Sequence, residues 1–282
     1  MTKPVILPTT AVLRSQLRVW RDARESVALV PTMGALHSGH LALVAAAKKR
    51  ARRVVVSIFV NPTQFAPHED FSKYPRSLEA DVEKLESVGA DVVFHPGADD
   101  MYPEGFATTI SLKGPATAGL EDKFRPTHFQ GVATVVAKLL LMVLPDAAFF
   151  GEKDFQQLAV IRQMVGDLNI PVEIIGAPTV REDDGLALSS RNAYLTPEER
   201  AIAPTLNASM RKAAARIRDG ESFDAALTAA RNKITSSGFE LDYLELRDAA
   251  TLAPVTGRYR TGLRMLVAAR LGRTRLIDNI EV

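Results

Sequence analysis

Cysteine is absent from all 282 residues, which excludes disulfides, thiol nucleophiles and thiolate metal sites and fits a reducing compartment. A dominant charge is missing too. The 35 Lys and Arg against 33 Asp and Glu leave a net charge of +2, so no global field draws the chain to nucleic acid or to an anionic membrane. No apolar run is long enough for a bilayer; the longest, VATVVAKLLLMVL (132–144), is short and carries Lys138. The opening MTKPVILPTTAVLRSQLRVW reaches Pro8 and then charged, helix-like sequence, a poor signal peptide. Internal repeats and low-complexity segments are lacking as well. These absences lead us to expect a cytoplasmic protein with no membrane segment. What is present, 46% hydrophobic and 24% charged residues, suits one large domain or two ordinary ones.

Apolar β-rich runs alternate with helical patterns through the first two thirds. VALV (27–30), VVVSIFV (54–60), DVVFHP (91–96), DAAFF (146–150) and PVEIIG (171–176) read as strands. Between them HLALVAAAKKRA (40–51), SLEADVEKLESVG (77–89), residues 128–144 and DFQQLAVIRQMVGDLN (154–169) read as helices. That alternation predicts βαβ units and a parallel sheet. The pattern changes near residue 180. TPEERAIAPTLNASMRKAAARIRDG (196–220) opens with a hydroxyl cap and a proline at the first helical position, and a second helix follows near 222–235. LDYLELRD, RMLVAARLG and TRLIDNIEV then suggest a small antiparallel sheet. The expectation is an α/β chain of two domains, with its boundary between 177 and 186.

VPTMGALHSGHLAL (30–43) sits where a strand enters a helix. Gly34 and Gly39 have the spacing of a phosphate-binding glycine loop, yet His40 replaces its lysine and Leu41 its hydroxyl. In a parallel sheet, ligands bind beyond the carboxyl ends of the strands. There the glycines admit close backbone approach and the helix N-terminus favours an anion. His37 and His40 can donate to phosphate, more strongly when protonated. Two alternatives stand beside this reading, a structural turn and a metal pair, for which His128 is the attractive third ligand over His68 and His95.

Other stretches repeat the layout. FFGEKDFQQ (149–157) places Lys153 at a helix entry, with Gln157 one turn further along the same face. LSSRN (188–192) offers hydroxyls, an arginine and backbone donors in one loop. NPTQF (61–65) puts the amides of Asn61 and Gln64 at another strand end, either to read a small polar substrate or to cap a loop. A nucleic-acid module built on RKAAARIRDGESFDAALTAARNK (211–233) is disfavoured, because acids interrupt its bases and it lacks aromatic platforms.

In this order PTMGALHSGH, SIFVNPTQF, YPR (74–76), HFQGV (128–132), FFGEKDFQQ and LSSRN resemble the motif series of the pantothenate synthetase (pantoate–β-alanine ligase) family, over about residues 27–195. The histidine motif alone, HxGH, is shared by a wider nucleotidyltransferase superfamily, and an adenylyl- or cytidylyltransferase with another acceptor is the alternative. Thr63 and Leu188 stand where the family has methionine, and Thr127 where glycine precedes the histidine. These departures touch packing and loop shape rather than polar groups.

The resemblance implies a Rossmann-like catalytic domain over 1–179 that binds ATP and pantoate, and a smaller C-terminal α+β domain over 180–282 that closes over the site. It implies condensation of pantoate with β-alanine through pantoyl adenylate, releasing pyrophosphate and AMP. It also implies Mg²⁺ on the ATP and a homodimer, with neither nucleic acid nor membrane as partner. ATP is expected against Met33, Gly34, Ala35, Leu36, His37, Ser38, Gly39 and His40, against Gly151, Glu152, Lys153 and Asp154, and against Leu188, Ser189, Ser190 and Arg191. His40, His37 and Lys153 would carry the chemistry. Gln64 and Gln157, with Asn61 nearby, would hold pantoate and β-alanine, and Asp81 would ligate Mg²⁺. The polar loop 66–76, with Tyr74, would serve as a lid, and His128 lies at the substrate end without an assigned role.

Overall fold

The β-branched runs become the strands of one parallel sheet. In the computed structural model, which describes residues 2–65, 71, 74 and 76–282, these are β1 (Val5–Leu7), β2 (Val27–Thr32), β3 (Arg53–Ile58), β4 (Val92–Phe94), β5 (Ala147–Gly151) and β6 (Glu173–Ala177). They lie in the order β1-β4-β3-β2-β5-β6, every neighbouring pair parallel. The helices between them are α1 (Thr10–Asp22), α2 (Ser38–Arg50), α3 (Leu78–Ser87), α4 (Ala98–Met101), α5 (Glu121–Phe124), α6 (His128–Val143) and α7 (Phe155–Asp167).

Both faces of the sheet are covered, which is why its strands read as continuous apolar runs rather than as alternation. Val27 and Leu29 of β2 pack into the core shared with α1, α6 and α7. Ala28 and Val30 turn to the opposite core, shared with α2 and α3. The chain leaves β2 toward β3 and β4 on one side and leaves β5 toward β6 on the other. Between β2 and β5 the order of connection reverses, and a crevice opens at their carboxyl ends.

The chain then forms α8 (Pro197–Ile202), α9 (Thr205–Arg218) and α10 (Phe223–Ser236), followed by an antiparallel sheet of β7 (Glu240–Asp248), β8 (Leu263–Leu271) and β9 (Thr274–Glu281). Met265, Val267, Ala269 and Leu271 of β8 enter the core with α9 and α10. The opposite face of the sheet presents arginines to the parallel-sheet body. Arg275 reaches Glu121, Arg264 reaches Glu152, and Arg247 donates to the Ala118 carbonyl.

Two differences from the sequence reading have physical causes. The helix expected across 196–220 is two, α8 and α9, because Pro204 has no N–H to continue the ladder of α8. The strand β1 escapes periodicity because it is three residues long at the sheet edge, with Val5 and Ile6 exposed.

Candidate active site

Between β2 and α2 the backbone turns through two residues with positive φ, Gly34 (+83°) and Ala35 (+51°). The turn rests on α3. Asp81 accepts from the Ala35 and Leu36 N–H groups at 2.9 and 2.8 Å, and Lys84 Nζ donates to the Leu36 carbonyl at 2.8 Å. A Cβ at Gly34 would stand 3.1 Å from the Asp81 carboxylate and 3.2 Å from Ile58, so the close packing needs glycine. This corrects the expected role of Asp81. It is 1% exposed with both oxygens engaged by backbone donors, and it does not line the crevice. Gly34, Ala35, Leu36 and Ser38 do not line it either. The N–H groups of Ala35 and Leu36 point to Asp81 rather than to a ligand.

Two imidazoles start α2. His37 is the N-cap and its Nδ1 accepts from the Gly39 N–H at 3.2 Å; His40 Nδ1 accepts from the His37 N–H at 3.4 Å. The pair forms a capping box, with ring centroids 4.1 Å apart. Since both Nδ1 atoms accept, the proton of each neutral ring is on Nε2. Burial, then Lys153 and Lys84, pushes the His37 pKa down to about 4, against the opposing pull of Asp154. Burial, then His37, Lys153 and Lys84, pushes His40 down to about 3. Near neutral pH both rings are uncharged Nε2–H donors, not the imidazolium that would donate to phosphate more strongly. Among the described residues no group of three or more His, Asp or Glu could hold a metal ion, which removes the metal-pair alternative there; His68 lies outside them.

The opposite wall is built on the 3₁₀ turn Pro62–Gln64. Asn61 caps it and is 1% exposed. Its Oδ1 accepts from the Thr63 N–H, the Thr63 hydroxyl and the Tyr102 hydroxyl, while its Nδ2 donates to Gln64 Oε1 and the Gly131 carbonyl. Asn61 thus lines the crevice with its amide engaged within the protein. It orients the Gln64 amide, whose Nε2 lies 3.0 Å from Met33 Sδ. Gly131 of α6 touches the back of the turn; a Cβ there would run into the Thr63 carbonyl and stand 2.8 Å from Gln64 Cα.

His128 acquires a role here. Arg125 donates to His128 Nε2 at 3.2 Å, so His128 Nδ1–H donates to the Gln64 carbonyl at 3.0 Å. Arg125 also reaches that carbonyl at 3.3 Å. No local pattern marks the reach of Arg125 to the Gln64 carbonyl, which lies 61 positions away.

Lys153 enters from the 3₁₀ turn Glu152–Asp154 at the end of β5, its side chain 18% exposed and its Nζ 3.9 Å from Asp154. Gln157, the next turn of α7, lines the same crevice. Its neighbour Gln156 is buried and ties α7 to Glu121, Pro115 and Asp122. Glu152 turns away from the crevice, 3.2 Å from Arg264, which corrects its expected place beside ATP. Ser189 caps the 3₁₀ turn Ser190–Tyr194, and the Ser190 hydroxyl is 3.4 Å from that of Tyr74. Most of the loop 66–76, the expected lid, lies outside the described residues.

One crevice thus gathers Met33, His37, Gly39 and His40 with Gln64, Gly151, Lys153, Asp154, Gln157 and the loop Leu188–Arg191. Thr179 and Val180 beyond β6 also line it, on a polar stretch that carried no motif.

The sequence model of the pantoate–β-alanine ligase family matches residues 5–281. Pantothenate synthetase from Rhodopseudomonas palustris (strain HaA2) is 59% identical over 99% of both chains, and pantothenate synthetase 2 from Bradyrhizobium diazoefficiens is 58% identical over the same share. Among solved structures, pantothenate synthetase from Thermus thermophilus superposes with a TM-score of 0.93 at 50% identity, covering 98% of this chain and 99% of that one. Pantoate–β-alanine ligase from Francisella tularensis, complexed with beta-gamma ATP and β-alanine, gives 0.81 at 37% identity over 99% of this chain and 97% of its own. The chain belongs to the pantoate–β-alanine ligase family, the enzymes that condense pantoate with β-alanine.

Proposed function

We propose that the crevice runs the condensation in two half-reactions at the β2/β5 junction. The observation that carries this reading is the gathering of two donor sets in one cleft. The Nε2–H groups of His37 and His40, Lys153 and the Ser189–Arg191 loop line it together with the neutral amides of Gln64 and Gln157. Pantoate is already ionised at pH 7 and needs aim rather than a base. Amides hold its hydroxyls and carboxylate without tying the nucleophile into an ion pair. The first set stabilises charge on the ATP phosphates as pyrophosphate leaves. Asp154 is placed to accept from ribose hydroxyls, with Gly151 admitting close approach. The β-alanine amine then attacks the acyl carbon of pantoyl adenylate, giving pantothenate and AMP.

Mg²⁺ enters this reading as the counter-ion of ATP. Asp154 is the one carboxylate among the described lining residues, and Asp81 is engaged elsewhere. Among the described residues the crevice therefore offers no carboxylate cage, and we assign the ion to the phosphate oxygens. We further propose a catalytic domain over 1–179, a C-terminal domain over 180–282 that closes over the site, a homodimer and a cytoplasmic location. Among the described residues no helix is long and apolar enough to cross a membrane.

The test is to incubate the chain with ATP, Mg²⁺ and pantoate, with and without β-alanine, and to identify the products by mass. Pantoyl adenylate and pyrophosphate without the amine, and pantothenate and AMP with it, are expected. Adenylylation of nicotinate mononucleotide or phosphopantetheine in place of pantoate would move the chain to another branch of the superfamily.

A further inference from the structure

A second cavity, of about 280 Å³, opens from the crevice toward the hairpin that joins β8 to β9. Arg125, Lys153, Asp154, Ser189 and Arg191 line both spaces. Of the two, His37, His40, Gln64 and Gln157 line only the crevice. The far wall is Arg270, Arg273 and Arg275.

The acids of this chamber are largely answered. Glu121 receives Arg275 at 2.7 and 2.8 Å, and Asp278 receives Arg181 at 2.7 and 2.8 Å from outside the chamber. Asp154 stands 3.9 Å from Lys153. Arg270 and Arg273 are exposed and make no ion pair among the described residues. Their hairpin is nonetheless seated. Gly272 has φ +55°, and a Cβ there would collide with the carboxylate of Glu199, which itself accepts from the Thr196 N–H. The chamber is thus a cationic space with two uncommitted arginines, continuous with the wall proposed to hold the ATP phosphates.

We propose that this chamber is a binding site for inorganic pyrophosphate, the leaving group of the first half-reaction, with Arg270 and Arg273 as its outer ligands. The proposal rests on the two-step reading above. In that step a pantoate carboxylate oxygen bonds to the α-phosphorus. The bond from that phosphorus to the bridging oxygen breaks, and pyrophosphate departs with the electron pair. In-line displacement puts the leaving group opposite the nucleophile. The amides that would hold pantoate do not reach the chamber, so it lies where the departing group must go. Pyrophosphate offers many oxygens to guanidinium forks, which bind phosphate bidentately.

The test is calorimetric titration of the whole protein with inorganic pyrophosphate and, separately, with ATP. Arg270→Gln/Arg273→Gln should weaken pyrophosphate binding about five- to tenfold, on the scale of two exposed charge-assisted contacts. ATP affinity should shift less. An equal charge removed from α1, as Arg14→Gln/Arg18→Gln, should leave both unchanged. Retained pyrophosphate affinity in the hairpin variant overturns the proposal. So does an equal loss for ATP, or an equal loss in the α1 variant, since the arginines would then act on the triphosphate or only through net charge. Wild-type turnover is scored beside this. Failure of the family reading shows as absent pantothenate, whereas failure of the chamber shows in the titrations.

Discussion

An imidazole that serves a phosphate must carry its proton on the nitrogen facing the ligand. In this chain the helix start fixes that choice, because Nδ1 of His37 and of His40 each accept a backbone N–H. Burial of the same two rings depresses both pKa values, to about 4 and about 3. Above the ordinary histidine value near 6.5 both rings are neutral in the folded and unfolded chain alike. As pH falls below that value, the unfolded chain takes up protons that the folded site refuses, so stability declines until the folded pKa values are reached. His40 contributes at most ~1.4 kcal/mol per pH unit in this window. His37, whose pKa is depressed less, contributes over a narrower range of pH. In His40→Asn, Oδ1 can replace Nδ1 as acceptor while nothing titrates. Urea midpoints compared at about pH 7.5 and about pH 5 should therefore fall less in the variant than in the wild type. An equal fall in both would mean that His40 is not the group refusing the proton.

At the scale of elements, α3 supports from beneath the loop proposed to hold the phosphates. Asp81→Asn keeps the shape but turns one of the two oxygens that accept from the Ala35 and Leu36 N–H groups into a donor facing a donor. The cost should be ~1–3 kcal/mol in stability, and adenylate formation should slow because the loop carrying His37 is no longer held. Stopped-flow release of pyrophosphate checks this, and an unchanged rate in a folded variant would leave the clamp without a functional consequence. The opposite wall has its own fulcrum. Gly131→Ala pushes a methyl group into the Thr63 carbonyl and displaces the turn Pro62–Gln64. Apparent pantoate binding should weaken while ATP affinity holds, and titration with each ligand separates the two. These elements also mark what is legible in the sequence. The strands β2 to β6 can be read because burial on both faces demands unbroken β-branched runs. The gathering of His37, His40, Lys153 and Gln157 in one crevice can be read because each follows such a run. Asp81 cannot. A carboxylate after a polar loop looks like a metal ligand, and its bonds to Ala35 and Leu36 span 46 and 45 positions with no local signature. Asn61 is ambiguous for a different reason: a cap and a substrate amide use the same residue at the same strand end.

Across the whole molecule, the antiparallel sheet holds Lys153 as well as itself. Asn279 of β9 donates to the carbonyls of Glu152 and Lys153 at 2.9 and 2.8 Å, so the turn that presents Lys153 is braced from a sheet far along the chain, with 127 and 126 positions between the partners. That sheet is anchored by Glu121, 7% exposed, which accepts two bonds from Arg275 and one from the Tyr243 hydroxyl. Burial opposes the charge on Glu121, yet the Arg275 bonds prevail and hold its pKa below the ordinary value. Removing Arg275 leaves buried Glu121 with only the Tyr243 hydroxyl and Arg125 at 4.0 Å, and also takes the partner from Asp242. Arg275→Met should therefore destabilise the chain by ~3–5 kcal/mol, more than the pair contributes as a pair. Glu121→Gln/Arg275→Met removes both charges and should recover much of that loss, since a neutral amide can still accept from Tyr243. Activity should divide differently from stability. The double variant lacks the anchor that seats β9, so Asn279 braces Lys153 less firmly and adenylate formation should stay slow after the midpoint has recovered. Denaturation midpoints beside single-turnover rates for wild type, single and double variants read this directly. A double variant that regained stability and full rate together would show that the anchor serves the fold alone and that Lys153 needs no help from the second sheet.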